Sequence, residues 1–160
     1  MQGPQATTAD PMSDLYQQLI VERARAPHRA GVLEPADGGA EGDNPFCGDR
    51  VQVTVRLGAD GGVAESRHRT RGCAICTASA DLMAESVEGL QRPAIASLYE
   101  RFGAMLQSGE SGTTDSLGLL AAFRSLHEYR SRIRCATLPW TALLDAMSEA
   151  AGPGSGRKDT

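Results

Sequence analysis

The chain has 160 residues, with 16 Lys and Arg against 20 Asp and Glu for a formal net charge of −4, and 41% of it is hydrophobic. That length and charge predict one soluble domain, and the apolar fraction excludes an intrinsically disordered chain. Aromatic residues are only 4% of the chain, so the core has to be built mainly from Leu, Val, Ile, Ala and Met.

Met1 to Pro11 has no basic start followed by an apolar stretch, and no run of about 18 apolar residues occurs anywhere, so the reading is cytoplasmic with no membrane association. Four cysteines are too few for a disulfide-dense secreted scaffold, which in a reducing compartment points to thiols for metal or sulfur chemistry. Residues 1–11 and 149–160 read as flexible tails around a single domain at 12–148.

In chain order, Asp10-Pro11 or Ser13 caps a first helix carrying Leu15, Tyr16, Leu19 and Ile20 at helical spacing and ending before Pro27. Gly31 to Pro45 turns to Gly, Pro, Asp and Glu, a loop with one short edge strand around Val32-Leu33. Val51, Val53, Val55 and Leu57 alternate with Gln52, Thr54 and Arg56, the period of a half-buried strand. Asp60-Gly61 signals a hairpin whose return run, Gly62 to Arg71, is weakly hydrophobic and reads as an exposed sheet face. After Cys73 the period becomes helical through Ile75, Ala78, Leu82 and Met83, closing at Gly89. Pro93 opens a further helix with an apolar stripe from Ile95 to Leu106, and Gly109 ends it before a flexible loop to Ser116. Leu119 to Leu126 give a short helix, and Trp140, Leu143, Leu144 and Met147 give the last one, their stripe a core face. Early strands and late helices describe an α+β domain, a small antiparallel sheet of about three strands with helices on one face.

Three cysteines sit beside chain punctuation: Cys47 in Asn44-Pro45-Phe46-Cys47-Gly48-Asp49, Cys73 after Gly72, and Cys135 ahead of the last helix. Cys73 and Cys135 are both expected at helix N-termini, where unpaired amides and the helix dipole favour the thiolate. Asp49, two residues from Cys47, offers a carboxylate to the same side, and three thiolates with one carboxylate make a tetrahedral zinc set. The ligands are far apart in sequence, so this site has to be assembled by tertiary structure, unlike a zinc ribbon.

The same residues carry a family resemblance. Asn44 to Asp49, the run Gly-Cys-Ala-Ile-Cys-Thr-Ala-Ser-Ala from Gly72 to Ala80, and Arg-Ile-Arg-Cys-Ala-Thr-Leu-Pro-Trp from Arg132 to Trp140 resemble the three motif blocks of the U-type iron–sulfur cluster assembly proteins, most of all the SufU branch. Pro27 to Gly31 and an insertion-like stretch from Gly109 to Ala122 agree with that branch, and Arg134 stands where IscU-type chains carry a histidine. The resemblance implies zinc held by Cys47, Asp49, Cys73 and Cys135, with a SufS-type cysteine desulfurase delivering persulfide sulfur. Cys47 matches the sulfur-accepting cysteine, and Cys135 is the second candidate because the IscU branch uses its final cysteine. Downstream iron–sulfur scaffold or acceptor proteins follow as further partners.

Other readings stay open beside it. The same ligands could hold iron or a [2Fe–2S] cluster on a scaffold, and a module with purely structural zinc would leave a desulfurase unaffected. Cys76 departs from the family pattern and falls one turn after Cys73, as a small buried residue, a substitute ligand, or the partner in a Cys73/Cys76 dithiol oxidoreductase. Asp49 could cap a turn. Arg67, Arg69 and Arg71, and Arg124, Arg130, Arg132 and Arg134, form either a solvated face or a counter-charge to an anionic metal centre, Arg134 being an auxiliary candidate. His28, His68 and His127 read as surface or core residues and none is assigned to metal. Nucleic acid is excluded as a partner by the acidic balance and the lack of interleaved aromatics.

Overall fold

The computed structural model describes residues 11–109 and 117–151. Its elements are α1 (Pro11–Arg25), β1 (Gly38–Asn44), β2 (Asp49–Leu57), β3 (Val63–Arg71), α2 (Ala74–Ser86), α3 (Arg92–Ser108), a 3₁₀ helix (Gly118–Glu128) and α4 (Arg130–Ala151). The three strands form one antiparallel sheet in the order β1-β2-β3, so the α+β architecture read from the sequence is the one observed. Among the described residues no helix is long and apolar enough to cross a membrane.

The strand read most directly, β2, buries Val51, Val53 and Val55 completely on the helix-facing side. Its partner β3 follows the Asp60-Gly61 turn, where Gly61 takes φ +86 and the N–H of Gly58 donates to the carbonyl of Gly62. Register puts His68 opposite Val53 and Ser66 opposite Val55. Directly paired residues share a face, so the polar positions of β3 look inward. Ser66 and His68 are buried, which corrects the reading of this run as an exposed face.

What allows a polar inner face is Asp81 on α2. Its carboxylate accepts from Arg23 of α1 at 2.9 Å, from the N–H groups of His28 and Arg29 at 2.9 and 2.7 Å, and lies 3.0 Å from His68 Nε2. The other imidazole nitrogen meets Thr70 Oγ1 at 2.8 Å. Burial pushes this carboxyl up, but the hydrogen bonds from His68, the two backbone amides and Arg23 outweigh it and hold it well below the usual carboxylate range. One buried charge thus joins α1, the 27–31 segment, β3 and α2. His68 is a satisfied core histidine.

Two further expectations fail, and both for tertiary reasons. The run Gly38–Asn44, read as loop, is edge strand β1, paired from Gly38↔Val55 to Asn44↔Asp49. Its glycines let α4 lie against it: a Cβ on Gly38 would strike the carbonyl oxygen of Ala146, and one on Gly42 would come within 3.0 Å of the Leu138 side chain. Val32 and Leu33 form no strand; the Leu33 N–H donates to Thr54 Oγ1 instead, and Ala30 makes an isolated parallel bridge to His68 along the free side of β3. The second failure is the last helix, which starts at Arg130 and continues through Pro139 rather than beginning near Trp140. Proline removes one helical donor, yet the buried residues Ile133, Cys135, Ala136, Trp140, Leu143 and Met147 seat this helix in the domain on both sides of it.

The remaining helices match their signals. Pro93 lies in the first turn of α3 and Gly109 closes it at φ +72. Of the loop expected from Gly109 to Ser116, residues 110–116 lie outside the described residues, as do 1–10 and 152–160 of the expected tails. Residues 149–151, expected in the C-terminal tail, continue α4, and Glu149 accepts the N–H of Gly39 at 2.7 Å. Phe102 of α3 packs 5.3 Å from Trp140 and edge-on to Phe123 at 5.9 Å, so the Trp140 stripe is core as expected.

Candidate metal centre

The loop between β1 and β2 is shaped by Asn44. Its side-chain oxygen accepts the N–H of Phe46 at 3.2 Å, its carbonyl accepts the N–H of Gly48 at 2.8 Å, and its amide nitrogen donates to Cys47 Sγ at 2.9 Å. Gly48 turns the chain with φ +74, a left-handed conformation suited to glycine. The result is a tight hairpin tip that exposes Cys47 and leaves Phe46 86% accessible.

Immediately after the tip, the fully buried Asp49 opens β2 and points its carboxylate at the end of β3. Oδ1 accepts the N–H of Cys73 at 2.9 Å, while Oδ2 is 3.3 Å from Cys47 Sγ and 3.8 Å from Cys73 Sγ. Gly72 makes that approach possible, because a Cβ there would overlap Asp49 Oδ1. Cys73 is the N-cap of α2, its sulfur accepting the N–H of Cys76 at 3.4 Å. From the opposite wall α4 supplies Cys135, whose sulfur is 3.6 Å from that of Cys47.

Cys47, Asp49 and Cys135 place their ligand atoms within 4.8 Å of one another, an arrangement that could hold a metal ion. Cys73, the fourth expected ligand, is not one of those three; its sulfur approaches the group at Asp49 Oδ2, 3.8 Å away. Bonds of about 2.3 Å to sulfur and 2.0 Å to oxygen around a tetrahedral centre imply edges of roughly 3.5–3.8 Å. The separations of 3.6, 3.3 and 3.8 Å fit those edges, and the thiol-rich donor set fits zinc or iron better than magnesium or calcium. Burial pushes the Asp49 carboxyl up, but hydrogen bonds from the Cys135 thiol, the Cys73 amide and the Cys47 and Cys73 thiols outweigh it, leaving the carboxyl below its usual value.

Two placements differ from expectation, those of Cys135 and Arg134, while Cys76 is the small buried residue that was one of its readings. Cys135 is not at a helix N-terminus: α4 starts at Arg130, so this thiol sits in the second turn, fully buried. Burial, with the hydrogen bonds to Asp49 and to the other two cysteines, pushes its pKa up rather than down. Cys76 is buried beneath the site, its thiol likewise pushed up, by burial first and then by the charges of Asp49, Cys73 and Cys47. Arg134, the auxiliary candidate, instead lies over the Phe46 ring at 5.7 Å. The guanidinium that meets the sulfurs is Arg132, whose pKa is raised by the charge on Cys73 and by the hydrogen bond and charge of Cys135. Helical spacing explains the exchange, since residues three apart share a face and neighbours do not. Asn44 was a further residue the sequence reading did not single out; its Asx-turn position ahead of Pro45 was the available signal.

Comparison with known proteins agrees with this architecture. The model of the NifU-like N terminal domain matches residues 15–136. A relative from Bacillus subtilis named zinc-dependent sulfurtransferase SufU is 32% identical over 142 residues, covering 88% of this chain and 95% of its own length. The iron–sulfur cluster assembly scaffold protein IscU of Streptococcus pyogenes is 29% identical over 88% of this chain and 87% of its own. A crystal structure from Fervidobacterium islandicum AW-1, described as a candidate iron–sulfur cluster assembly scaffold protein for the SUF system, superposes with a TM-score of 0.75 at 25% identity, covering 87% of this chain and 99% of that one. The chain belongs to the NifU-like N-terminal domain family, the U-type proteins of iron–sulfur cluster assembly.

Proposed function

We propose that the protein is a zinc-dependent sulfur acceptor and carrier of the cytoplasm, which takes persulfide sulfur from a SufS-type cysteine desulfurase for iron–sulfur cluster assembly. The observation that carries this reading is the asymmetry of the site: Cys47 is exposed on a hairpin tip, whereas Asp49 and Cys135, in contact with it, are fully buried. A most exposed sulfur on a hairpin tip, backed by buried ligands, suits transfer between proteins. The relative named as a zinc-dependent sulfurtransferase supports the same choice.

Cys47, Asp49, Cys73 and Cys135 are the residues that would hold the zinc, which supplies the positive charge that keeps clustered thiols deprotonated and reduced. The exposed Cys47 sulfur attacks the outer sulfur of the partner's persulfide. That S–S bond breaks, the partner's thiolate leaves, and the persulfide now sits on Cys47. The Asn44 amide, 2.9 Å from Cys47 Sγ, stabilises negative charge on the attacking sulfur. Cys135, buried and neighbouring, is the second candidate for holding the sulfur.

Metal analysis of the untouched purified chain, paired with a cysteine desulfurase rate measured with and without it, tests the reading. The expected result is about one zinc per chain, as one four-ligand set predicts, with a faster desulfurase that Cys47→Ala abolishes. A stable visible-absorbing cluster passed intact to an acceptor protein would move the function to a [2Fe–2S] scaffold. Retained stimulation by Cys47→Ala would remove that residue as acceptor.

A further inference from the structure

We propose that Cys73 and Cys76 form a redox dithiol that reduces the sulfur delivered to this site and releases it as sulfide. The inference extends the sulfur-acceptor reading and rests on it for the source of the sulfur. Cys73 is half-exposed at the N-cap of α2 and shares Asp49 Oδ2 with Cys47, at 3.8 and 3.3 Å. Cys76 is fully buried behind it, yet stands outside the hydrophobic cluster that fills the domain. Its N–H donates to the Cys73 sulfur at 3.4 Å, so the first turn of the helix already folds over that atom.

Residues three apart on a helix bring their Cβ atoms to about 5–6 Å, against the roughly 3.5–4.5 Å that a disulfide spans, and Cys73, as an extended N-cap residue, is the one whose backbone shifts to close the gap. An accessible thiol at the cap with a protected one a turn later is the division of labour of an attacking and a resolving cysteine. Nothing in the acceptor chemistry uses Cys76, and a small apolar residue would fill its volume.

The steps balance. A persulfide on Cys47 carries its outer sulfur about 2 Å further than Sγ. The Cys73 sulfur, which for this step has to be free of the metal as Cys47 is, attacks that outer sulfur, the S–S bond to Cys47 breaks, the Cys47 thiolate leaves, and Cys73 becomes the persulfide. Cys76 then attacks the inner sulfur of Cys73, the second S–S bond breaks, and hydrosulfide leaves with the Cys76 proton given up to solvent. The transferred sulfur gains two electrons and the two cysteines lose them as a disulfide. A low-molecular-weight thiol resets the pair for another round.

The test uses the reduced, desalted full chain, glutathione persulfide as sulfur donor and no added thiol. The unaltered chain should release about one sulfide and end with a Cys73–Cys76 disulfide by peptide mapping. Cys76→Ala should release about tenfold less sulfide while retaining an added sulfur on Cys47 or Cys73. A second measurement needs no variant: diamide, a general thiol oxidant, should produce the same Cys73–Cys76 bridge in the unaltered chain. Equal sulfide from the variant, or a diamide bridge formed between Cys47 and Cys135 instead, overturns the dithiol. A variant that keeps no sulfur on any cysteine overturns the acceptor reading instead, and the diamide arm separates the two failures.

Discussion

The carboxylate of Asp49 occupies the space that a side chain on Gly72 would fill: a Cβ built there overlaps Oδ1 and approaches the carboxyl carbon to 2.9 Å. The glycine before Cys73 therefore serves the residue across the sheet, which in turn accepts the Cys73 N–H at 2.9 Å. Gly72→Ala should push Asp49 away from the sulfurs while leaving every donor atom of the set in the chain. Outer-sphere changes of this kind typically cost about 10–100-fold in metal affinity. Competition with a chromophoric zinc chelator measures it, and an affinity unchanged from the parent would mean that Asp49 does not bind the metal.

Arg132 and Arg134 separate by a single residue and by function. Three thiolates, one carboxylate and a divalent cation sum to about −2, and Arg132 is the guanidinium drawn toward that charge while Arg134 covers Phe46. Arg132→Ala should speed chelator-driven metal loss at low salt, with the difference shrinking at about 1 M salt, where screening acts over roughly 3 Å. Arg134→Ala should leave metal loss unchanged. Equal effects from both variants would show that the charge acts only as a diffuse field.

Acid sensitivity should centre on Asp81. Its folded pKa lies below the usual carboxylate value, so its contribution to stability is complete above the unfolded value of about 3.9 and is lost as pH falls from there toward the folded pKa. Asp81→Asn should cost roughly 3–5 kcal/mol at neutral pH, because it leaves Arg23 buried with its charge uncompensated on one side. It should also flatten the loss of stability as pH falls below about 4, the unfolded value, toward the depressed folded one. Urea midpoints across this range for parent and variant measure both effects; parallel pH profiles would assign the acid limb to other carboxylates.

The sequence made the valine alternation of β2, the Asp60-Gly61 turn, Pro93 and Gly109 legible because each acts through its own backbone or its immediate neighbours. The convergence of Cys47, Asp49 and Cys135 was readable from the three motif blocks, with Cys73 brought to the same carboxylate. What stayed hidden depends on partners distant in the chain. The polar inner face of β3 looks like an exposed strand until Asp81, 13 residues from His68, is brought beneath it. The last helix, read after Cys135 from its Trp140 stripe, begins at Arg130 and runs through Pro139, because local rules cannot weigh one lost hydrogen bond against a long buried face. Cys135 was misplaced for that reason, and its expected helix-end thiolate with it.

The glycines of β1 give the sharpest test of that distinction. Local rules score them as turn formers, yet Gly38 is fixed by the Ala146 carbonyl and the Ala150 Cβ, which a new Cβ would approach to 2.9 Å. Gly39, next in the strand, has its nearest neighbours at 3.4 Å, ordinary contact that tolerates a methyl group. If the glycines serve strand-to-helix approach, Gly38→Ala should destabilise by about 1–3 kcal/mol, the usual cost of overpacking, whereas Gly39→Ala should be close to neutral or slightly stabilising through the unfolded chain. Because α4 carries Cys135 and β1 ends beside Cys47, the displacement at Gly38 should also weaken zinc retention in the folded protein. Thermal melts with a chelator assay separate the two sites; equal melting temperatures for both variants would return this stretch to the flexible loop its composition suggests.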